Sequence, residues 1–337
     1  MSGNRINRRL LGQLSFGAAV GLAMGKGLLP LSLGSASAAE LPSKLRVSTF
    51  RQPYYYSPYY LNRFAPSGMS IEVVETKSNS DALDALLTGD TDVAYMGVIS
   101  CLIAVAGGRP IKGVASAGSG TTRILVRADS DITAVKDLKG KDVAIAKGTN
   151  QDIIFREVVR QAGLDPNKDI NYVLLPSDAH VQAMVTGTVV ACSATEPYGS
   201  MMLMNGVARQ LGDDVNHTRV GNPGILVALK QDTIDNRPEL AQVVTTMHAR
   251  TVAWMRSNPD QVIADFAKFS KQEPPVIKMA MENTALHYDI NEQYLTDAQG
   301  LISSLLDWKY LSKTFEPKGA FDLQFLPAAR TAAKEGI

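Results

Sequence analysis

Cysteine is nearly absent from this chain. Only Cys101 and Cys192 occur in 337 residues. Each lies in or just after a strand-like segment rather than in a turn-rich loop, so a disulfide framework is excluded and two unpaired, buried, small apolar residues are expected. Histidine is scarce too, with His180, His217, His248 and His287 scattered and no pair at ligand spacing. With no Cys-x-x-Cys either, neither a metal centre nor a cofactor is expected. There is no Gly-x-Ser-x-Gly elbow, no phosphate-binding Gly-x-x-x-x-Gly-Lys loop and no Gly-x-Gly-x-x-Gly after a strand, which argues against an enzyme on a familiar nucleophile, nucleotide or dinucleotide site. Excess charge is missing as well. The formal net charge is +1, and without Arg5, Arg8, Arg9 and Lys26, the only charged residues before Glu40, it is −3. Neither value gives the basic footprint that nucleic acid or an anionic membrane surface requires. The one long apolar stretch, Leu10 to Leu33, is interrupted by Lys26, whereas a membrane span needs about 20 uninterrupted apolar residues.

That stretch, its basic start and Ala36-Ser37-Ala38 form the pattern of a signal peptide over residues 1–38, cleaved after Ala38. Asn7-Arg8-Arg9-Leu10-Leu11 resembles the twin-arginine export signal. The alternative is an ordinary secretory signal with a chance Arg-Arg pair. No cysteine follows the cleavage position, so the mature protein is expected free in the periplasm. About 300 residues remain, enough for two lobes with their own cores.

A phrase that occurs twice carries the organisation. Ser80-Asp81-Ala82-Leu83-Asp84-Ala85-Leu86-Leu87-Thr88-Gly89 leads into the apolar Val93-Ala94-Tyr95-Met96. About a hundred residues on, Ser177-Asp178-Ala179-His180-Val181-Gln182-Ala183-Met184-Val185-Thr186-Gly187 leads into Val189-Val190-Ala191-Cys192. In each, a polar cap opens a helix, apolar residues recur at helical spacing, a glycine stops it and a buried strand follows. Strands are expected at 45–50, 71–74, 111–115, 122–127, 142–146, 172–175 and 225–229, and helices at 102–106 and after residue 151. From Arg237 the pattern is helical as far as Trp308, with helices expected on the outside of the first lobe. This is an α/β chain of two lobes, the first formed by 45–124 with 226–337 and the second by 125–225. Its hinge crossings are expected near Arg123–Leu125 and Gly224–Val227.

In open α/β sheets ligands lie beyond the carboxyl ends of strands. Gly148-Thr149-Asn150-Gln151 joins a strand to a helix, where a glycine lets backbone approach and the first amides and the dipole favour an anion; a plain helix cap by Thr149 or Asn150 is the alternative. Gly97-Val98-Ile99-Ser100 stands at the corresponding place in the first lobe. Tyr54, Tyr55, Tyr56, Tyr59 and Tyr60 follow the first strand, able to wall a solute with their rings or merely to pack on one another. Glu196, ahead of Pro197, suits an amine, or else bonds backbone amides or a cross-cleft arginine.

Taken together, Gly89-x-x-Asp92-Val93-Ala94, Asp137-Leu138-Lys139-Gly140-Lys141-Asp142-Val143-Ala144, Lys147-Gly148-Thr149-Asn150, Glu196-Pro197 and Ala253-Trp254-Met255-Arg256-Ser257-Asn258-Pro259 resemble the periplasmic substrate-binding proteins of nitrate-, sulfonate- and taurine-type ABC importers. The resemblance runs from about Leu45 to Trp308. It implies a two-lobe periplasmic-binding-protein fold of the type II kind, a small-molecule solute, delivery to a membrane permease with its ATPase, a monomer, no cofactor and no catalysis. Carried over by position, the ligand contacts are Gln52, Tyr54, Tyr55 and Tyr56, then Gly97, Val98 and Ser100, then Ser119 and Thr121, then Gly148, Thr149, Asn150 and Gln151, and Glu196. The tyrosine run departs from the small polar residues common in sulfonate binders. A small organic anion such as an aliphatic sulfonate or a taurine-like compound is the leading solute. The alternatives are an aromatic or heterocyclic solute of the thiamin-precursor pyrimidine type and, more distantly, an enzyme like the thiamin-pyrimidine synthases that share the fold.

Overall fold

The computed structural model describes residues 41–212, 218–221 and 223–335; the export signal expected at 1–38 and His217 lie outside them. The elements in chain order are β1 (Lys44–Thr49), β2 (Ser70–Glu75), α1 (Asn79–Thr88), β3 (Val93–Gly97), α2 (Val98–Ala106), β4 (Ile111–Gly120), β5 (Thr122–Arg127), β6 (Asp142–Ile145), α3 (Asn150–Gln161), β7 (Asn171–Leu174), α4 (His180–Val185), β8 (Ala191–Thr195), α5 (Tyr198–Met204), β9 (Ala208–Gln210) and β10 (Pro223–Lys230). They continue with α6 (Gln231–Asn236), α7 (Pro238–Ser257), α8 (Pro259–Ser270), α9 (Pro274–Glu282), β11 (Thr284–Ala285), α10 (Glu292–Asp307) and α11 (Leu326–Glu335).

Two sheets form. The first has the order β11-β4-β10-β3-β1-β2 and the second β7-β6-β8-β5-β9. In the first, β1 pairs parallel with β2 and β3, and β10 runs antiparallel between β3 and β4. In the second, β6 pairs parallel with β7 and β8, and β5 runs antiparallel between β8 and β9. Strand for strand the layouts correspond: β2-β1-β3-β10-β4 matches β7-β6-β8-β5-β9. The repeated phrase occupies equivalent places, from β2 to β3 and from β7 to β8.

The local chemistry of the two copies also agrees. Gly89 and Gly187 take φ of 87° and 73°, a left-handed conformation that a Cβ opposes. The preceding threonines each donate to the carbonyl four residues back, Thr88 Oγ1 to Asp84 O and Thr186 Oγ1 to Gln182 O, both at 2.9 Å. The starts differ from expectation. The first helix is capped by Ser78, whose hydroxyl accepts from Asp81 N at 3.1 Å, so Ser80 lies inside it. In the second copy Ser177–Ala179 form a single 3-10 turn and the α-helix begins at His180.

The chain changes sheet at Thr121, between β4 and β5, so Arg123–Leu125 already belong to the second sheet. It re-enters the first sheet at Pro223, so Gly224–Val227 lie inside β10. The helical tail does more than cover the first sheet. Asn283 Nδ2 donates to Glu196 at 3.0 Å, Ser304 Oγ to Glu157 of α3 at 2.8 Å, and the Tyr310 hydroxyl to Asp152 of α3. The segment past residue 274 therefore reaches both sheets.

Cys101 and Cys192 are buried and unpaired. Beneath the first sheet α7 buries His248, which meets the Tyr95 hydroxyl at Nδ1 (2.9 Å) and Ser116 O at Nε2 (2.8 Å). A carbonyl only accepts, so Nε2 carries the proton and Nδ1 accepts from the tyrosine. Burial pushes this imidazole down to about 4.

Candidate functional site

A cavity of about 350 Å³ lies where the carboxyl ends of parallel strands from both sheets converge. The first sheet contributes Phe50, Gln52, Tyr54 and Tyr55 after β1, Lys77, Ser78, Asn79 and Ser80 after β2, Gly97 and Ser100 after β3, and Gly224 and Ile225 of β10. The second contributes Ala146 to Gln151 after β6, Pro176 and Ser177 after β7, and Thr195 at the end of β8, while Thr121 lies at the crossing. A larger cavity of about 580 Å³ beside β11 is lined by Glu282, Asp289 and Asp297 among others. None of its described lining residues comes from 122–212, so it does not lie between the sheets, and the cavity between the sheets is the better candidate for a ligand site.

Its walls are held by bonds that cross from one sheet to the other. The Tyr54 hydroxyl donates to Gln52 Oε1 at 2.6 Å and contacts Thr195 Oγ1 at 2.8 Å. Its single proton being spent on Gln52, Thr195 is the donor in the second contact. Asn150 Nδ2 donates to Gly224 O at 2.6 Å. Phe50 and Tyr55 pack at a tilt of 59° with ring centroids 4.6 Å apart, and Tyr54 and Tyr55 at 43° and 4.8 Å. Burial raises both tyrosine phenols above their ordinary value, so the wall they form is neutral.

At the start of α3, Gly148 has φ 75°, which requires glycine. Its N–H donates to Asp152 Oδ2 at 2.9 Å, and Asp152 is held by Arg156 Nε at 2.7 Å and by Tyr310. This first amide is thus engaged internally, and Thr149 turns its hydroxyl to Ala146 O at 2.6 Å rather than capping. Gly97 has an ordinary φ of −62°; its N–H donates to Asn79 Oδ1 at 2.8 Å, and an added Cβ would meet the Asn79 side chain at 3.4 Å, a normal contact distance.

Of the fourteen expected contacts, Gln52, Tyr54, Tyr55, Gly97, Ser100, Thr121, Gly148, Thr149, Asn150 and Gln151 line this cavity, and four do not. Tyr56 packs against Tyr59, Tyr60, Phe266 and Phe269 under the C-terminal helices. Val98 is fully buried in the first-sheet core: on a 3.6-residue helix it shares a face with Cys101 and Leu102, opposite Ser100. Ser119 belongs to β4, which continues to Gly120 where a loop was expected, and it lines the larger cavity.

Glu196 is fully buried and saturated. Arg123 Nε donates to it at 2.5 Å, Asn283 Nδ2 at 3.0 Å and Ser200 N at 3.0 Å, and the Glu196–Pro197 bond is cis. The expected amine partner has no carboxylate here. Lys77, Asn79, Ser80, Lys147, Ser177 and Thr195 line the cavity and were not anticipated. Applying the strand-end rule to β2 and β7 as well would have found most of them. Among the described residues that line the cavity there are two lysines and no aspartate or glutamate.

Two sheets of matching order, crossed twice by the chain and enclosing a cavity at their strand ends, make this a periplasmic-binding-protein fold. Two solved structures share it at a TM-score of 0.71. The alkanesulfonate-binding protein of Xanthomonas axonopodis pv. citri bound to MOPS is 22% identical, covering 85% of this chain and 100% of that one. The periplasmic nitrate-binding protein of Synechocystis is 15% identical, with 86% and 89% covered. The chain belongs to the NMT1-like family, whose model matches residues 58–269. It is 29% identical over 265 residues to an Escherichia coli protein named for binding aliphatic sulfonates, a match spanning 76% of this chain and 81% of that protein.

Proposed function

We propose that this protein is the periplasmic solute-binding component of an ABC importer, and that its two lobes, built on the two sheets, close on a small organic anion of the aliphatic sulfonate class. The observation that carries this reading is the lining itself: Lys77, Lys147 and neutral donors from both sheets, with no carboxylate among them. A sulfonate oxygen needs donors and positive potential, both of which are there. An ammonium would meet two like charges and no carboxylate among the described lining residues, so a plain alkanesulfonate suits the cavity better than taurine. The volume falls in the range of small-ligand sites, and the names of the sulfonate-binding relatives point the same way. The reading includes a monomer that hands its solute to a permease with its ATPase, carries out no catalysis and is exported by the twin-arginine route.

Titration calorimetry with ethanesulfonate and taurine tests it. Ethanesulfonate should bind more tightly, and Lys77→Gln or Lys147→Gln should each weaken it by about threefold to fivefold, as expected for solvent-exposed charges. Taurine binding the tighter, or both lysine variants binding as well as the parent, would refute the reading. The ring wall of Phe50, Tyr54 and Tyr55 favours a second reading, a flat heterocycle stacked on it. A pyrimidine that binds where sulfonates do not would establish that alternative.

A further inference from the structure

Beside the interlobe cavity, at the helix starts, lies a second cavity of about 360 Å³ that shares Asn79, Ser80, Ser100 and Gly148 with it, so the two adjoin at these residues. From there it runs between α1 and α2, the helices that leave the cleft after β2 and β3 on the same side of the first sheet. Periodicity explains its walls. On α1, Leu83 stands three and four residues after Ser80 and Asn79, which puts the three on one face. On α2, Ser100, Ile103, Ala104 and Gly107 follow the i, i+3, i+4, i+7 spacing of a single stripe. The inner end is thus polar and shared with the cleft, and the middle is apolar, with Leu83 and Ile103 half-buried.

Arg109 stands at the outer end, exposed, and among the described residues it is the one charged residue lining this arm. It takes part in none of the ion pairs found among the described residues. From Ser100 to Gly107 the axial rise is about 10 Å. A head group held in the cleft would leave a linear chain room to lie along this arm and bring its far end to the guanidinium.

Resting on the sulfonate reading above, we infer that the solute is a linear sulfonate with an apolar chain lying between α1 and α2 and a second anionic group at its far end, met by Arg109. The chain gains by leaving water against Leu83 and Ile103, and the far anion gains a partner that nothing else in the arm supplies. A short sulfonate would use only the inner cavity.

Calorimetry with ethane-, butane- and octanesulfonate and with an eight-carbon sulfocarboxylate tests this. In the parent protein each added methylene should tighten binding about twofold, half-buried methylenes giving less than full transfer from water. Leu83→Asn makes the wall polar. Gly107→Leu obstructs the outer end from a position whose φ of −78° accepts a side chain. Either change should flatten the chain-length series and leave ethanesulfonate unaffected, and the second remains informative if the first fails to fold. Arg109→Gln should weaken the sulfocarboxylate about threefold and leave octanesulfonate unchanged. Affinity independent of chain length while ethanesulfonate binds would overturn this inference alone, as would a chain-length series unchanged in both groove variants. No binding by any sulfonate would overturn the underlying reading and the inference with it.

Discussion

Acidification should act on the core of the first sheet through His248. The imidazole is fully buried between the Tyr95 hydroxyl and Ser116 O, and burial pushes it from the ordinary 6.5 down to about 4. The native state therefore binds fewer protons than the unfolded chain between these two values. Its contribution is complete above pH 6.5 and is lost as pH falls toward 4. Lowering the pH from about 7.5 to 5 removes on the order of 2 kcal/mol through this residue alone, and on the order of 3 kcal/mol is gone by pH 4. His287, pushed down to about 4 by burial and by nearby Arg256, and His180, lowered chiefly by burial, add in the same direction. Glu157 acts at lower pH. Burial raises it, but bonds from Arg219, Ser304 and Arg160 bring it below the usual carboxylate range. Urea unfolding across this window, in the parent and in His248→Gln, isolates the effect, because glutamine keeps one donor and one acceptor and does not titrate. The variant should lose a smaller amount of stability between pH 7.5 and 5. An equal loss in both proteins would refute the assignment.

Glu196→Gln should cost about 2–3 kcal/mol of stability, somewhat under the usual range for breaking a buried pair, because Arg123 keeps Gln210 Oε1 and Met279 O as acceptors. Denaturant unfolding measures it; unchanged stability together with altered sulfonate affinity would return Glu196 to the ligand site. Replacing Arg8 and Arg9 together by lysine should leave unprocessed precursor in the cytoplasm on fractionation. Normal processing would instead mark an ordinary secretory signal.

The fold was legible where short-range chemistry decides it. Thr88-Gly89 and Thr186-Gly187 stop their helices by conformation and local bonds, and alternation or apolar runs marked most strands. What escaped depends on partners distant in sequence. Glu196 could be located at a strand end from its neighbours alone, but the residues that saturate it, Arg123 and Asn283, are 73 and 87 positions away. The tyrosines could not be sorted either. Tyr54 faces the cleft because Gln52 and Thr195 hold its hydroxyl, and Tyr56 turns away because Phe266 and Phe269 cover it. The short β9 and β11 carry too few residues for a pattern, and α11 lies beyond the reach of the family resemblance.

The position of β10 has a consequence for how the chain acquires its structure. β3 and β4 do not pair with each other; both pair with β10, which follows the whole of the second sheet in sequence. Until residue 230 is available, the first sheet is split, with two apolar edges open to mispairing. All five strands of the second sheet lie between Thr122 and Gln210, so they can pair before β10 exists and draw Thr121 and Pro223 together, although Asn283, Ser304 and Tyr310 add their bonds to this half only later. Closing a free loop of about a hundred residues is entropically costly, and a folded insert replaces that loop with fixed ends. Assembly of the first half of the molecule therefore waits on the middle, and a chain that stops short of β10 would be left as an aggregation-prone fragment rather than a smaller version of the protein.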